Sequence, residues 1–294
     1  MKAHDVSPRD IGRILDDALS LYGANWRSIL KLAAAVVFPV ALVYTVATVF
    51  ITKAATDLST TVTAAATSSA PPTAAFAALT AAYGLAGVGA TLYLVGQLLF
   101  TGSLYSQGEH ILRGEPFGAK LAVKAGLSRL VMLVLTALLV SMATGLGAVA
   151  SFIVLGLGGV AVAALLYVAL PVVAVERLDA IAAVQRSWRL VRPHLWRTVL
   201  MMVGAGVIAV QMEYALISPT AIRQLVMVVT DPTSIKQTFS LGWTVFDGLI
   251  QGAAITLVLP FTQLVVFLYY LDLRSRNEGM DLLIRARELA PGPR

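Results

Sequence analysis

Residues 176–200 read ERLDAIAAVQRSWRLVRPHLWRTVL and lie between two long apolar runs. The stretch holds five arginines and two tryptophans. Asp179 predicts a helix start, because its carboxylate can accept hydrogen bonds from the open amides two or three residues later. Pro193 predicts a bend or an end before the next apolar run. One face carries apolar side chains at helical spacing, namely Ile181, Val184, Trp188, Val191 and Leu195.

The opposite face of this helix carries Arg186, Arg189 and Arg192. An apolar stripe with tryptophan opposite arginine is typical of a helix that lies flat at the water–lipid boundary. The alternative is a solvated connecting helix. In both interpretations the stretch indicates which side of a membrane the basic residues occupy.

The composition favours an integral membrane protein. The 294 residues are 58% hydrophobic and 13% charged, whereas soluble domains carry about 25% charged residues. The absence of cysteine excludes disulfide and thiolate chemistry. The net charge of +6 is concentrated beside apolar segments, which indicates orientation and anionic lipid rather than nucleic acid. The N-terminus lacks the basic-then-apolar order of a signal peptide.

Six apolar runs are long enough to cross the hydrocarbon core of a bilayer. They lie at about 32–51, 85–104, 130–150, 156–175, 198–217 and 249–271. Four glycines in the second run predict close helix contact, namely Gly84, Gly87, Gly89 and Gly96. Three amphipathic surface helices are predicted at about 7–26, 115–128 and 179–195. The sequence therefore predicts an all-α membrane bundle of six transmembrane helices with three interfacial helices on the cytoplasmic side.

The connections are predicted from composition. The Thr-, Ala- and Ser-rich residues 52–75 predict a flexible loop, and an uncharged link predicts a tight hairpin near Ser151. Residues 218–243 predict a further loop, with a short interfacial helix at 221–229. We expect one transmembrane domain over 1–275 and a cytoplasmic tail over 276–294.

The basic residues divide unequally between the two predicted membrane faces. Of the 22 lysines and arginines, 19 fall in the N-terminal segment, the connections after the second and fourth spans, and the tail. The opposite face receives Lys53, Arg223 and Lys236. This bias predicts that the basic face and both termini are cytoplasmic. The expected location is the plasma membrane of a bacterium.

Residues for catalysis are scarce. The histidines, His4, His110 and His194, are far apart and show no metal-ligand spacing such as HExxH. The sequence contains neither a phosphate-binding P-loop nor a Gly-x-Ser-x-Gly nucleophile motif. We therefore expect a non-enzymatic protein without catalytic residues, a metal or a cofactor.

The basic face supplies the first candidate site. Arginine presents a planar fork of donors that suits phosphate oxygens. The predicted lipid phosphate-binding residues are Arg186, Arg189, Arg192 and Arg197. The alternative is that these arginines only orient the protein in the membrane.

Acidic residues inside the bilayer supply the second candidate site. Glu213 and Asp247 lie near the outer ends of the fifth and sixth spans, with Gln211 and Gln251 close by in sequence. These four residues predict a polar intramembrane site between the two spans. The alternative is interfacial solvation or an interhelical hydrogen bond.

Three groups of short motifs resemble one family. They are Ala24-Asn25-Trp26; Glu176 with Arg186-Ser187-Trp188-Arg189-Leu190 and Trp196-Arg197; and Tyr269-Tyr270-x-Asp272-Leu273-Arg274 with Glu278-Gly279. The chain resembles the bacterial membrane domain associated with glycerophosphoryl diester phosphodiesterases. The resemblance implies a six-span helical module, which in some relatives is fused to a soluble phosphodiesterase domain. This sequence shows no acidic, metal-binding barrel, so the resemblance does not imply catalysis.

The sequence thus predicts a membrane module that binds membrane lipids, with anionic headgroups as candidates, or a partner membrane protein. No nucleic-acid partner is expected. Two alternatives stay open. A transporter or permease component would need a continuous polar path between spans, and a lipid-modifying enzyme would need acids or histidines clustered at one depth.

Overall fold

The computed structural model describes residues 9–65, 73–112, 118–151, 157–230 and 241–279. The described residues form helices and no strand. The elements are α1 (Ile11–Ala65), α2 (Thr73–Leu112), α3 (Ala119–Ala150), α4 (Leu157–Leu165), α5 (Ala169–Glu176), α6 (Ala180–Val191), α7 (Leu195–Thr230) and α8 (Leu241–Glu278). A 3₁₀ turn, Arg192–His194, joins α6 to α7. The predicted all-α class is confirmed.

Six helical segments are long and apolar enough to cross a membrane. Many of their large apolar side chains lie on the surface. In α3, Val131, Leu146 and Val149 are 69%, 68% and 75% exposed. Such surfaces are unfavourable in water, at roughly 25 cal/mol per Å² of apolar area, and are stable when lipid tails cover them. The chain is therefore a multi-pass membrane protein.

The chain divides into two compact units. Unit 1 comprises Met1–Leu32, Leu98–Ala209 and Leu259–Arg294, and unit 2 comprises Ala33–Gln97 and Val210–Val258. Within unit 1, Tyr105 stacks on Phe267 with ring centroids 5.8 Å apart, and its hydroxyl donates to Gln263 Oε1 at 2.5 Å. This contact joins α2 to α8 in the core of the unit.

Close packing in unit 2 uses two of the four glycines singled out in the second span. A Cβ on Gly89 would lie 3.1 Å from Ala47 Cβ, and a Cβ on Gly96 would collide with the side chain of Val40. Gly84 and Gly87 have open space beside them. Close helix contact is therefore made at Gly89 and Gly96.

Several helices are longer than the sequence pattern predicts. The predicted surface helix at 7–26, the first span and much of the predicted loop at 52–75 form the single helix α1. Pro39 lies inside this helix, and alanines in its C-terminal part favour helix. The predicted surface helix at 115–128 likewise continues into the third span as α3. Only α6 is a separate surface helix among the described residues.

The helix predicted at 221–229 is the continuation of α7 through Pro219. Proline has no N–H, so the helix loses the bond that would reach the carbonyl of Ala215. Ser218 replaces that bond, because its hydroxyl donates to Ala215 O at 2.9 Å. The side chain beside the proline thus allows the helix to continue.

The fourth predicted span is broken into α4 and α5 by a turn at residues 166–168. Pro171 lacks the N–H that an unbroken helix would direct to Tyr167 O. In this turn, backbone N–H groups donate to the carbonyl three residues earlier instead of four. Tyr167 N donates to Ala164 O at 3.2 Å, and Ala169 N donates to Leu166 O at 3.1 Å. The break leaves the carbonyl of Leu165 open to a partner from another helix.

The predicted hairpin near Ser151 is supported by the described residues on both sides of it. The Ser151 hydroxyl donates to Gly147 O at 2.7 Å and accepts from the N–H of Gly158 at 2.8 Å. A Cβ on Gly158 would lie 2.7 Å from Gly147 O, closer than side chains pack. The two glycines therefore allow α3 and α4 to approach through their backbones.

Candidate functional site

The helix α6 begins as its sequence predicts, since Asp179 Oδ1 accepts from the N–H of Ala182 at 2.7 Å. Its buried side chains are Ala180, Ala183, Ser187, Leu190 and Val191. Of the apolar face predicted to meet lipid, Ile181 and Trp188 are 65% and 44% exposed, whereas Val191 is buried. Arg189 and Arg192 are exposed as well, so these arginines and Trp188 all lie outside the buried side of α6.

Side-chain size explains which side of α6 is buried. Small residues let α6 pack closely on α3 and α5. Ser187 is fully buried, and its hydroxyl donates to Leu165 O at 2.9 Å. That bond satisfies the carbonyl left open by the turn between α4 and α5. The amide of Asn277 adds a second anchor by donating to Leu190 O at 2.9 Å.

The first charged group in unit 1 is the Glu176 cluster, formed by Glu176, Arg186, Tyr270, Arg274 and Glu278. Arg186 Nε lies 3.1 Å from Glu176 Oε2, and its terminal nitrogen pairs with Glu278. Tyr270 donates to Glu176 at 2.8 Å, and Arg274 Nε lies 3.2 Å from Glu278. Two carboxylates thus balance two guanidinium groups and join the ends of α5 and α8 to the middle of α6.

The second group is the Asp272 cluster, formed by Arg9, Arg197, Asp272 and Arg276. The Asp272 carboxylate is fully buried and lies 3.1 Å from Arg197 and 2.9 Å from Arg276. It also accepts from the backbone N–H of Arg9 at 2.7 Å. Both guanidinium groups donate to the carbonyl of Arg9. This cluster fixes the start of α1 and the start of α7 to the end of α8.

Two of the four arginines predicted to bind lipid phosphate belong to these clusters, and two do not. Arg186 and Arg197 are paired with carboxylates. Arg189 and Arg192 are exposed, and neither makes an ion pair with the described residues. Beside Arg189 lies a shallow groove of about 400 Å³ lined by Val184, Gln185, Trp188 and Arg189. The α6 surface formed by Ile181, Gln185, Trp188, Arg189 and Arg192 is called the α6 outer face below.

The four residues of the predicted intramembrane site do not form one group in the structure. In unit 2, Asp247 lies 2.5 Å from Arg223 and accepts from Gln224 at 3.0 Å. The guanidinium of Arg223 lies 4.4 Å from the ring centroid of Trp243. Asp247 is therefore held by side chains that were not among its predicted partners.

The other three predicted residues lie elsewhere in unit 2. Gln211 and Gln251 are exposed, and Glu213 is half-buried. Glu213 lies near enough to Tyr93 for its charge to act on the phenol. The hydroxyl of Tyr93 accepts from Gln97 Nε2 at 2.5 Å, and its ring stacks on Tyr44. None of the described contacts joins Glu213 to Asp247.

Sequence reasoning missed a cavity of about 560 Å³ between α2, α3 and the end of α5. It is called the basic cavity here. Its lining comprises Tyr105, Ser106, Gln107, His110, Leu121, Ala125, Ser128, Arg129, Ala174, Val175 and Arg177. None of these lining residues is acidic. The only signal in the sequence was the basic character of the connecting segments, which does not show that Arg129 and Arg177 converge.

The described part of the chain contains no group of three or more histidine and acidic side chains placed to hold a metal ion. Among the described residues, the groups of charged and polar side chains that form candidate sites are the two charged clusters, the Asp247 group, the α6 outer face and the basic cavity. The chain matches no protein-family model, no curated protein and no solved structure.

Proposed function

We propose that the protein is a non-enzymatic module of the bacterial plasma membrane that binds anionic lipid headgroups through the α6 outer face. In this proposal both termini and α6 lie on the cytoplasmic side, which the distribution of 19 of the 22 basic residues supports. The observation that carries the proposal is the exposure of Arg189 and Arg192 without carboxylate partners among the described residues, next to exposed Trp188.

The side chains of this face suit the region where headgroups meet lipid tails. Tryptophan prefers the interface because its ring is apolar and its N–H is polar. Guanidinium groups can donate two parallel hydrogen bonds to phosphate oxygens. Each basic residue near an anionic surface contributes about 1 kcal/mol, so Arg189 and Arg192 together correspond to about thirtyfold in affinity.

The charged clusters support the proposal by holding the outer face in place. Arg186 lies on the same helix and is tied to Glu176 and Glu278. Ser187 and Asn277 anchor the buried side of α6. A face held this way loses little conformational entropy when it binds a headgroup.

The charged clusters suggest what the residues behind the family resemblance do in the structure. The resemblance rests partly on Glu176, Arg186, Asp272, Arg274 and Glu278, and all five take part in the charged clusters. We propose that the chain is a relative of the phosphodiesterase-associated membrane domain in which these motifs hold helix ends together. This role is structural and agrees with a non-enzymatic module.

The test is lipid binding to the full-length protein in detergent, measured by native mass spectrometry with phosphatidylglycerol and phosphatidylcholine. We expect the double variant R189Q/R192Q to bind phosphatidylglycerol about thirtyfold more weakly and phosphatidylcholine unchanged. The matched control is R13Q/R27Q, which removes two exposed arginines of α1. Equal losses in the two double variants would show a general charge effect and would contradict a site on α6.

A transporter component is the second candidate, and Glu213 favours it. This acid is half-buried in unit 2, within reach of Tyr93, although charged residues inside a bilayer are costly and commonly functional. Proton flux into proteoliposomes tests this candidate. Flux that E213Q abolishes and E109Q retains would support transport, whereas a flux equal to that of empty liposomes would exclude proton transport.

A further inference from the structure

We infer that the basic cavity is a binding site for a ligand that carries a phosphate group. The site is distinct from the α6 outer face and does not depend on the function proposed for that face. It is formed within unit 1 by the C-terminal part of α2, the N-terminal part of α3, the end of α5 and the residue that follows α5.

Two guanidinium groups define the charge of the cavity. Arg129 donates one N–H to Val173 O at 3.3 Å, which leaves its other donors available to the cavity. The side chain of Arg177 makes no hydrogen bond or ion pair with the described residues. The two like charges lie near enough to act on each other. Because no described lining residue carries a compensating carboxylate, an anion placed between them would relieve this repulsion.

The backbone of Arg177 gives independent support. Its φ is 61°, and it is the only non-glycine residue with positive φ in the described part of the chain. Arg177 follows the last residue of α5, at a helix end where glycine is the usual residue. Glycine would adopt this conformation without steric cost. An arginine held there indicates that its side chain has a use that glycine would not serve.

The remaining lining adds an amide donor from Gln107 and contains no carboxylate that would attract a cation. The hydroxyls of Ser106 and Ser128 donate to carbonyls of their own helices at 2.9 and 2.8 Å, so these two hydroxyls do not donate to a ligand. Arginine forks match phosphate oxygens. The volume of about 560 Å³ is many times that of one water, about 30 Å³. The cavity therefore has room for an organic group attached to the phosphate, beside apolar Leu121 and Val175.

The same chemistry is offered by a lipid headgroup and by a soluble phosphate, and the experiment separates them. Isothermal titration calorimetry on the full-length protein in detergent uses two probes, inorganic phosphate and short-chain phosphatidic acid. Binding of phosphatidic acid alone would assign the site to a lipid headgroup. Binding of inorganic phosphate that competes with phosphatidic acid would assign it to soluble phosphates. Failure of both probes to bind would overturn the inference.

The variant R177G removes the charge and relieves the backbone in one change. We expect the affinity for the binding probe to fall about tenfold or more, while the melting temperature stays equal or rises. R129Q should weaken binding similarly, and R189Q, outside the cavity, should leave it unchanged. Undiminished binding by R177G would contradict the site. A lipid-binding defect confined to R189Q/R192Q would instead concern the α6 outer face, so the two proposals fail separately.

Discussion

The Asp272 cluster predicts a large loss of stability from one isosteric change. In D272N the carboxylate that pairs with Arg197 and Arg276 becomes neutral, and one of its oxygens becomes an amide donor. The Asp272 side chain is 0% exposed, and the two arginines are 22% and 25% exposed, so water compensates their charges only in part. Removing one partner of a buried ion pair costs about 3–5 kcal/mol. The partial exposure of the arginines places the expected loss near the lower value, about 3 kcal/mol.

The assay is the free energy of unfolding of the full-length protein, measured by denaturant titration in mixed detergent micelles. The matched control is D179N, the same chemical change at the exposed cap of α6. Asparagine caps helices about as well as aspartate, so D179N should change stability by less than about 0.5 kcal/mol. If D272N destabilised the protein no more than D179N, the Asp272 carboxylate would not hold the helix ends together as described.

Three further changes test the packing of unit 1. G158V places a side chain against the Gly147 carbonyl and should lower the free energy of unfolding by about 2 kcal/mol. The control G145V, at a glycine with open space beside it, should lower it much less. Equal losses in the two variants would contradict the close approach of α3 and α4. S187A removes the hydroxyl that donates to the Leu165 carbonyl and should lower the free energy of unfolding by about 1–2 kcal/mol. The control S128A, at an exposed serine, should leave the free energy of unfolding nearly unchanged. Y105F removes the hydrogen bond to Gln263 and should lower the free energy of unfolding by about 1 kcal/mol. If that bond is present, the loss in the double variant Y105F/Q263L should be smaller than the sum of the losses in Y105F and Q263L.

Local features of the fold could be predicted because short stretches of sequence determine them. The apolar runs identified six membrane-spanning segments. Asp179 is the cap of α6, and Ser151 ends α3 beside the start of α4. In each case the decisive contact joins residues close in the chain.

Helix continuity was harder to predict because the deciding contacts involve side chains next to the apparent breaks. Pro219 and the polar loop composition suggested an end, but the Ser218 hydroxyl replaces the missing backbone bond. Conversely, Tyr167 is the one polar residue of the fourth predicted span, 156–175. The helix nevertheless breaks at residues 166–168, ahead of Pro171. Hydropathy alone does not distinguish these cases.

The candidate sites depended on contacts between residues far apart in sequence. Glu176 reaches Tyr270 across 94 residues, and Arg197 reaches Asp272 across 75. Amphipathic spacing identified the apolar face of α6, but it did not show that the side packed against the protein consists mainly of alanine and serine while Ile181 and Trp188 are exposed. Whether the predicted arginines bind phosphate stays a prediction, now concentrated on Arg189 and Arg192.

In the proposed topology, six membrane spans place the basic connections and both termini in the cytoplasm. The chain contains no cysteine, so single cysteines can be introduced without a prior cysteine-removal step. The measurement is labelling of intact cells with a membrane-impermeant maleimide at Ser68, Ser234, Lys120 and Glu288. We expect labelling of S68C and S234C in intact cells, and labelling of K120C and E288C only after permeabilisation. Labelling of K120C or E288C in intact cells, with S68C protected, would contradict this topology.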